Sequence, residues 1–272
     1  MSEKIQIQLN DVPETLLITL YSRAIESQRP DALFIDEKAV SVVNRINYDF
    51  SRIKLQSHDQ VAIIFRLKTF DRMAQSFLQR YPDSVVIHIG CGLDTRFERI
   101  DNGRVIWYDL DLPEVISLRK LLFTDENARN KMVAGSVFSD AWIDLVKQHG
   151  HRSYLFLAEG VFPYFMEDQL KHLFARLEQH FPGCEIVFDA ARPFLVWADN
   201  LHLLFAGLKA RLHWGLNHAA DLENWSAAYK LLEDWYYFDQ SEPRLGNIQW
   251  LLRLPFLKKA SGVFQYQLGR SD

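Results

Sequence analysis

Helical periodicity of apolar residues dominates the first 81 positions of the chain. Apolar side chains recur there every three or four residues, the spacing that places them on one face of an α-helix. The pattern predicts helices over residues 13–28, 37–45 and 58–81, and Arg29-Pro30-Asp31 separates the first two. Residues 1–81 are therefore predicted to form an N-terminal helical segment.

Between residues 82 and 192 the pattern changes to short apolar runs that alternate with helical stretches. The runs are continuously apolar rather than alternating, which is typical of parallel strands covered on both faces. They lie at 84–89, 105–108, 131–134, 154–158 and 185–188, and the helical stretches begin near Pro113, Asp140 and Glu167. Strand and helix alternate five times, which predicts an α/β fold with a doubly wound, mostly parallel sheet.

The alternation lapses after Asp189. Residues 193–234 are rich in Leu, Phe, Trp and His and are predicted to form a helical cap insertion, with one helix over 222–233. Residues 235–272 are predicted to supply closing strands at 235–238 and 263–268, and a helix at 246–254. The whole chain would then be a single domain with a seven-stranded sheet, in which residues 82–192 form the ligand-binding core.

Composition narrows the class of function. The chain has 272 residues, 48% of them hydrophobic and 24% charged, which is ordinary for a globular protein. It carries 31 Lys and Arg against 35 Asp and Glu, and the net charge of −4 disfavours nucleic acid and anionic membranes as partners. Two isolated cysteines, a polar start and the lack of a long apolar stretch predict a soluble, cytoplasmic protein. The oligomeric state stays open.

Candidate chemistry lies at the strand ends, because ligands of open parallel sheets bind beyond the carboxyl ends of the strands. A strand that leads into Gly90-Cys91-Gly92 and then a helix is typical of a nucleotide-binding turn, since glycine lets a ligand approach the backbone. Asp111 follows Gly92 by 19 residues, close to the spacing of an acid that binds ribose hydroxyls. Asp109 could take that role instead, and the other acid would then be a turn carboxylate.

The residue at position 95 bears on the choice of nucleotide. A dinucleotide-binding turn has a third glycine there, but this chain has Thr95, which forms with Glu98 a Thr-x-x-Glu pattern typical of a capping box. A ligand with a ribose but no phosphate, such as S-adenosylmethionine, does not need the third glycine. The sequence therefore favours S-adenosylmethionine, and an NAD-dependent oxidoreductase or a non-catalytic nucleotide-binding protein stays as an alternative.

Three motifs resemble those of the leucine carboxyl methyltransferase-like family, which includes bacterial polyketide O-methyltransferases of the tetracenomycin type. They lie at residues 86–96 (VIHIGCGLDTR), 108–113 (YDLDLP) and 157–164 (LAEGVFPY). Arg66 with Asp71 and the opening stretch 23–36 are also similar to the family. The resemblance covers nearly the whole chain in order.

The resemblance implies a class I methyltransferase fold that binds S-adenosylmethionine. It implies that Arg66 pairs with the cofactor carboxylate and that Glu159 lies beside the amino group. Gly90 and Gly92 would lie under the methionine part of the cofactor, and Asp111 would bind the ribose hydroxyls.

The chain departs from the family pattern at two positions. Ser136 stands near the predicted adenine site, where the family usually has aspartate, and a serine can still hydrogen-bond the adenine amino group. Cys91 stands where a small residue is usual.

The resemblance implies O-methylation of a carboxyl or hydroxyl group on a small aromatic or polyketide-like acceptor; methylation of a protein C-terminal carboxylate is the alternative. A carboxylate, with a pKa of about 4, needs no general base at neutral pH, whereas a phenol, near 10, does. The candidate acceptor-side residues are Tyr164, His202, His213 and His218. No metal site is predicted, because no histidine pair has a suitable spacing.

Overall fold

The computed structural model describes residues 4–6, 15–123, 127–150, 152–205, 211–252 and 254–269, with the backbone alone at 201–205, 247, 248, 251, 252 and 255. The strands are β1 (Ile5–Gln6), β2 (Ile46–Asn47), β3 (Val85–Ile89), β4 (Ile106–Asp111), β5 (Asn130–Ala134), β6 (Tyr154–Ala158), β7 (Cys184–Ala191), β8 (Tyr229–Tyr236) and β9 (Ser261–Leu268). The helices are α1 (Thr15–Ser27), α2 (Glu37–Arg45), α3 (Ser57–Arg80), α4 (Arg96–Ile100), α5 (Pro113–Leu122), α6 (Ala141–Lys147), α7 (Glu167–His180), α8 (Pro193–Phe205), α9 (Gln249–Leu252) and α10 (Pro255–Lys258).

Seven strands form one sheet in the order β5-β4-β3-β6-β7-β9-β8. The first five are parallel, and β9 lies antiparallel between β7 and β8. The strand order reverses between β3 and β6, and such a switch point opens a ligand crevice at the carboxyl ends of the strands. The predicted fold class, a doubly wound and mostly parallel seven-stranded α/β sheet, is confirmed.

The core lies on both faces of this sheet. Alternate residues of one strand belong to different clusters: Ile87 packs on the face of α6 and α7, and Val86 packs on the face of α3. All five residues of β3 and all five of β6 are buried, which explains why these strands appear in the sequence as continuous apolar runs. None of the helices in the described ranges is long and apolar enough to cross a membrane.

The region after β7 is less helical than its sequence predicts. The predicted helix over 222–233 is wrong: a 3-10 helix at Asp221–Asn224 is followed by β8. Burial along β8 alternates from residue to residue, as in an edge strand with one covered face. The pairing of β8 with β9 has a register shift between Leu231 and Glu233. The predicted helix at 246–254 is only partly formed: Gly246 has a φ of 54° and is not helical, and α9 covers Gln249–Leu252.

The turn after β3 requires glycine for two reasons. Gly90 has a φ of 62° and Gly92 a φ of 50°, both in the left-handed region that other residues rarely adopt. A Cβ atom on Gly90 would lie 2.3 Å from Val161 Cγ2, and one on Gly92 would lie 2.3 Å from Leu16 Cδ2. The turn is thus packed between the loop after β6 and helix α1.

Gly90→Ala is expected to destabilise the fold more than Gly103→Ala, its matched control. Gly103 has a φ of 78° but no heavy atom within 4 Å of an added Cβ, so its substitution carries only the left-handed strain of about 1–2 kcal/mol. At Gly90 the stiff, β-branched Val161 must also shift, which adds about 1–3 kcal/mol. Urea denaturation of both variants measures the difference; equal losses of stability would show that the turn has spare room.

Candidate active site

A cavity of about 610 Å³ opens at the carboxyl ends of β3, β4 and β6. The turn after β3 forms its floor, and α3 and the loops after β4, β5 and β6 supply its walls. The residues predicted from the sequence that line it are Arg66, Gly90, Gly92, Asp111, Ser136, Glu159 and Tyr164. Side chains that lie far apart in the sequence are therefore brought together around one space.

Helix α1 covers the cavity and forms its roof, a role that the apolar pattern did not reveal. Thr15, Leu16, Ile18 and Thr19 line it, and Leu16 rests on Gly92. A signal was available in the sequence: Thr15 and Thr19 are four residues apart and so share one face of an otherwise apolar helix.

The two candidate ribose acids have different surroundings. Asp111 lines the cavity, and its carboxylate accepts hydrogen bonds from the backbone N–H of Gly92 at 2.8 Å and of Leu112 at 2.7 Å. Burial raises the pKa of Asp111, and these two hydrogen bonds oppose the rise. Asp109 does not line the cavity: it is buried against Arg119 and accepts from Trp107 Nε1 at 2.9 Å.

Arg119 explains why a buried acid stands at position 109. Its Nη1 donates to the carbonyl oxygens of Gly92 and Asp94, both at 2.8 Å, while its Nη2 binds Asp109. Burial alone would raise the pKa of Asp109, but the charge of Arg119 and the neighbouring His88 lower it overall. The pair thus fixes the backbone of the cavity floor from below.

Glu159 stands between two guanidinium groups at the wall of the cavity. One carboxylate oxygen accepts from Arg66 Nε at 2.9 Å and the other from Arg96 Nη2 at 2.6 Å. Burial would raise the pKa of Glu159, but the charges of Arg66 and Arg96 lower it overall. The group is therefore an anion at neutral pH.

Behind Glu159 lies a buried charge network that the sequence analysis did not predict. Arg96 also binds Asp71 Oδ1 at 2.7 Å and Asp94 Oδ2 at 3.0 Å, so Asp71 pairs with Arg96 rather than with Arg66. The network continues through Arg99 to Asp36 and Arg23, in contacts of 2.6–3.3 Å, and Arg23 also lies 3.6 Å from Asp94. Burial would raise the pKa of Asp94, but the three arginines hold it well below its ordinary value.

The prediction of a capping box at Thr95 is wrong. Thr95 does precede α4, but its side chain makes no capping hydrogen bond to the helix. Its hydroxyl instead donates to Asp36 Oδ2 at 2.6 Å and accepts from Arg99 Nη1 at 2.7 Å. The charge network competes successfully for the hydroxyl because its partners are ionised.

Asp189, which directly follows the strand predicted at 185–188, lies inside β7 and is buried. Its carboxylate accepts from the Gly160 N–H at 2.6 Å, from Arg66 Nη1 at 3.3 Å and from the Tyr237 hydroxyl at 3.4 Å. The strand extends through Ala191 because β9 pairs with every residue of β7. The apolar pattern did not reveal this, since a charged residue interrupts it.

The candidate acceptor-side residues are not gathered at one place. His213 and His218, both within the described ranges, are exposed and do not line the cavity. The side chain of His202 lies outside the described part of the structure. Tyr164 lines the cavity next to α1; burial raises the pKa of its phenol, and a hydrogen bond with the Thr15 side chain opposes the rise.

Comparison with known proteins relates this chain to methyltransferases. It is 35% identical over 234 residues to the tetracenomycin polyketide synthesis O-methyltransferase TcmP of Streptomyces glaucescens, covering 86% of both chains. It is 29% identical over 269 residues to the S-adenosyl-L-methionine-dependent methyltransferase dpfgK of Gibberella zeae, covering 92% of this chain and 90% of that protein.

A solved structure shares the fold. The crystal structure of a putative methyltransferase from Thermobifida fusca matches 96% of this chain and 99% of its own with a TM-score of 0.53, at 13% identity. The family model of leucine carboxyl methyltransferases matches residues 16–178, a span that includes the roof helix, the charge network and the strand ends around the cavity. The chain therefore belongs to the leucine carboxyl methyltransferase family.

Proposed function

We propose that this S-adenosylmethionine-dependent O-methyltransferase methylates a carboxyl or hydroxyl oxygen of a small aromatic or polyketide-like molecule. The observation that carries the proposal is one cavity with an arginine and a glutamate on one wall and an aspartate on another, above a glycine turn. Such a cavity complements an amino-acid zwitterion at one end of a ligand and ribose hydroxyls at the other. The relative TcmP, named for polyketide synthesis, supports the class of acceptor.

The cavity fits S-adenosylmethionine residue by residue. Arg66 would bind its carboxylate and Glu159 its ammonium group, since both side chains are ionised at the cavity wall. Asp111 would accept from the ribose hydroxyls and Ser136 would lie near the adenine. Gly90 and Gly92, on the floor of the cavity, would lie under the methionine part of the cofactor.

The bound cofactor supplies an electrophilic methyl group, and the chain supplies position and the exclusion of water. Leu16 and Ile18 of the roof give the cavity apolar walls, which favour a step in which an anionic oxygen loses its charge. A carboxylate acceptor, already ionised at neutral pH, needs no proton transfer. Tyr164, beside Thr15, would hydrogen-bond the acceptor and hold it in line.

The net charge of the chain supports a small-molecule acceptor, and its two thiols support a cytoplasmic location. A net charge of −4 favours a small molecule over a nucleic acid or a membrane surface as acceptor. Cys91 and Cys184 are both buried and free, which suits a reducing cytoplasm.

Thermal melting with S-adenosylhomocysteine, with NAD and with neither tests the cofactor. At about 100 times its dissociation constant a ligand adds about 2.7 kcal/mol of stability, which raises Tm by about 5–10 °C for a chain of this size. We expect this rise with S-adenosylhomocysteine and none with NAD. A rise with NAD alone would support an oxidoreductase and contradict the proposal.

Asp111→Asn is expected to weaken S-adenosylhomocysteine binding about 10- to 100-fold, because the ribose hydroxyls lose a charged acceptor. Asp83→Asn is the matched control, since Asp83 is exposed and pairs with Arg104 away from the cavity. Isothermal titration calorimetry measures both affinities. An unchanged affinity in Asp111→Asn would mean that this carboxylate does not bind the ribose.

Tyr164→Phe is expected to lower kcat/KM for the acceptor about 2- to 10-fold and to leave S-adenosylhomocysteine affinity unchanged, because the lost hydrogen bond serves the acceptor alone. A panel of aromatic carboxylic acids and phenols supplies the acceptor, and transfer of a labelled methyl group is the readout. Tyr154→Phe is the control, since its hydroxyl donates to Gly150 O at 2.8 Å, away from the cavity. A matching loss in both variants would contradict the role of Tyr164.

A further inference from the structure

The guanidinium group of Arg66 is fixed from two sides. Its Nε donates to Glu159 Oε1 at 2.9 Å, and its Nη1 donates to Asp189 Oδ2 at 3.3 Å. A single contact at Nε would leave the plane of the group free to turn, whereas a second contact at Nη1 defines the plane. The guanidinium also lies beside Gly160, where an added Cβ would be 3.7 Å from Nη2.

Asp189 is itself held rigidly. It lies inside β7, is only 6% exposed and does not line the cavity. The backbone N–H of Gly160 and the hydroxyl of Tyr237 both donate to its carboxylate, at 2.6 and 3.4 Å. Burial, followed by the nearby Asp189 charge, raises the pKa of Tyr237 well above its ordinary value, so its hydroxyl stays protonated and remains a donor.

The geometry leaves part of Arg66 available to a ligand. A guanidinium group has five N–H donors. Among the described residues, Arg66 donates through Nε to Glu159 and through Nη1 to Asp189, and it also contacts the Tyr237 hydroxyl, so these three contacts do not use all five donors. Because Arg66 lines the cavity, the rest of its donors can meet an anionic group there without the side chain having to reorient.

We propose that Asp189, held by Tyr237, is a positioning residue that orients Arg66 for the carboxylate of S-adenosylmethionine. The inference rests on the proposed function, which gives Arg66 this carboxylate. Asp189 itself would not touch the cofactor. Glu159 would be shared between Arg66, Arg96 and the ammonium group of the cofactor, so it cannot fix the orientation of Arg66 alone. Asp189 supplies a second contact to Arg66 that the ammonium group does not compete for.

Two ligands separate this role from a general structural one. S-adenosylhomocysteine carries the amino-acid group, and 5′-methylthioadenosine has the adenosine and the sulfur without it. Asp189→Asn should weaken S-adenosylhomocysteine binding about tenfold, as loss of an orienting outer partner does for side chains that bind metals, and leave 5′-methylthioadenosine binding unchanged. Calorimetry with each ligand gives both affinities on the same protein sample.

Tyr237→Phe provides a second variant that keeps the packing of the ring. It should weaken S-adenosylhomocysteine binding in the same direction as Asp189→Asn, by a smaller factor, and again spare 5′-methylthioadenosine. Tyr236→Phe is the matched control, because Tyr236 packs on the opposite face of the sheet, against Phe264.

A third comparison tests whether Asp189 acts through Arg66. In an Arg66→Met background, Asp189→Asn should have no further effect on S-adenosylhomocysteine affinity, whereas independent losses in the two sites would overturn the inference. Equal weakening of the binding of both ligands by Asp189→Asn would also overturn the inference. Tighter S-adenosylhomocysteine binding would overturn it too, because Asp189 would then compete with the ligand carboxylate for Arg66. If the unaltered protein binds neither ligand, the proposed function fails, and the inference fails with it.

Discussion

The arrangement of this protein depends on the buried guanidinium of Arg96. It contacts Asp71 from α3, Asp94 from the turn after β3 and Glu159 from the end of β6, all at 3.0 Å or less. A buried charge is costly unless its partners have good geometry, so these three elements can take few relative positions. These three elements supply part of the floor and walls of the cavity.

The same network ties the roof of the cavity to its floor. Arg23 of α1 donates to the carbonyl oxygen of Leu93 at 2.7 Å and binds Asp36 at 2.6 Å, while Arg99 connects Asp36 to Asp94. Recognition of a zwitterion needs a cation and an anion next to each other at the wall of the cavity. Arg66 and Glu159 form such a pair, with Nε 2.9 Å from Oε1, and Arg96 holds the second oxygen of Glu159 at 2.6 Å.

The local sequence pattern was enough to predict β3 to β6 and most of β7, because strands buried on both faces are continuous apolar runs and a glycine or an acid follows each run. It was not enough for β8, an edge strand with one covered face. It also missed Asp189, whose partner Arg66 is 123 residues away, and the role of Arg96. Pairings of this kind depend on how the strands are ordered in the sheet, and no periodicity of the sequence encodes that order.

The position of β9 has a consequence for the order in which the molecule assembles. β8 pairs with β9 and β9 pairs with β7, so β8 is synthesised before the strand that joins it to the sheet. Until β9 is made, β7 has an open edge that can pair with other chains. Because Tyr237 directly follows β8, its contact with Asp189 can form only in this last step. The parallel core, which can fold as the chain emerges, is therefore complete before the binding site is.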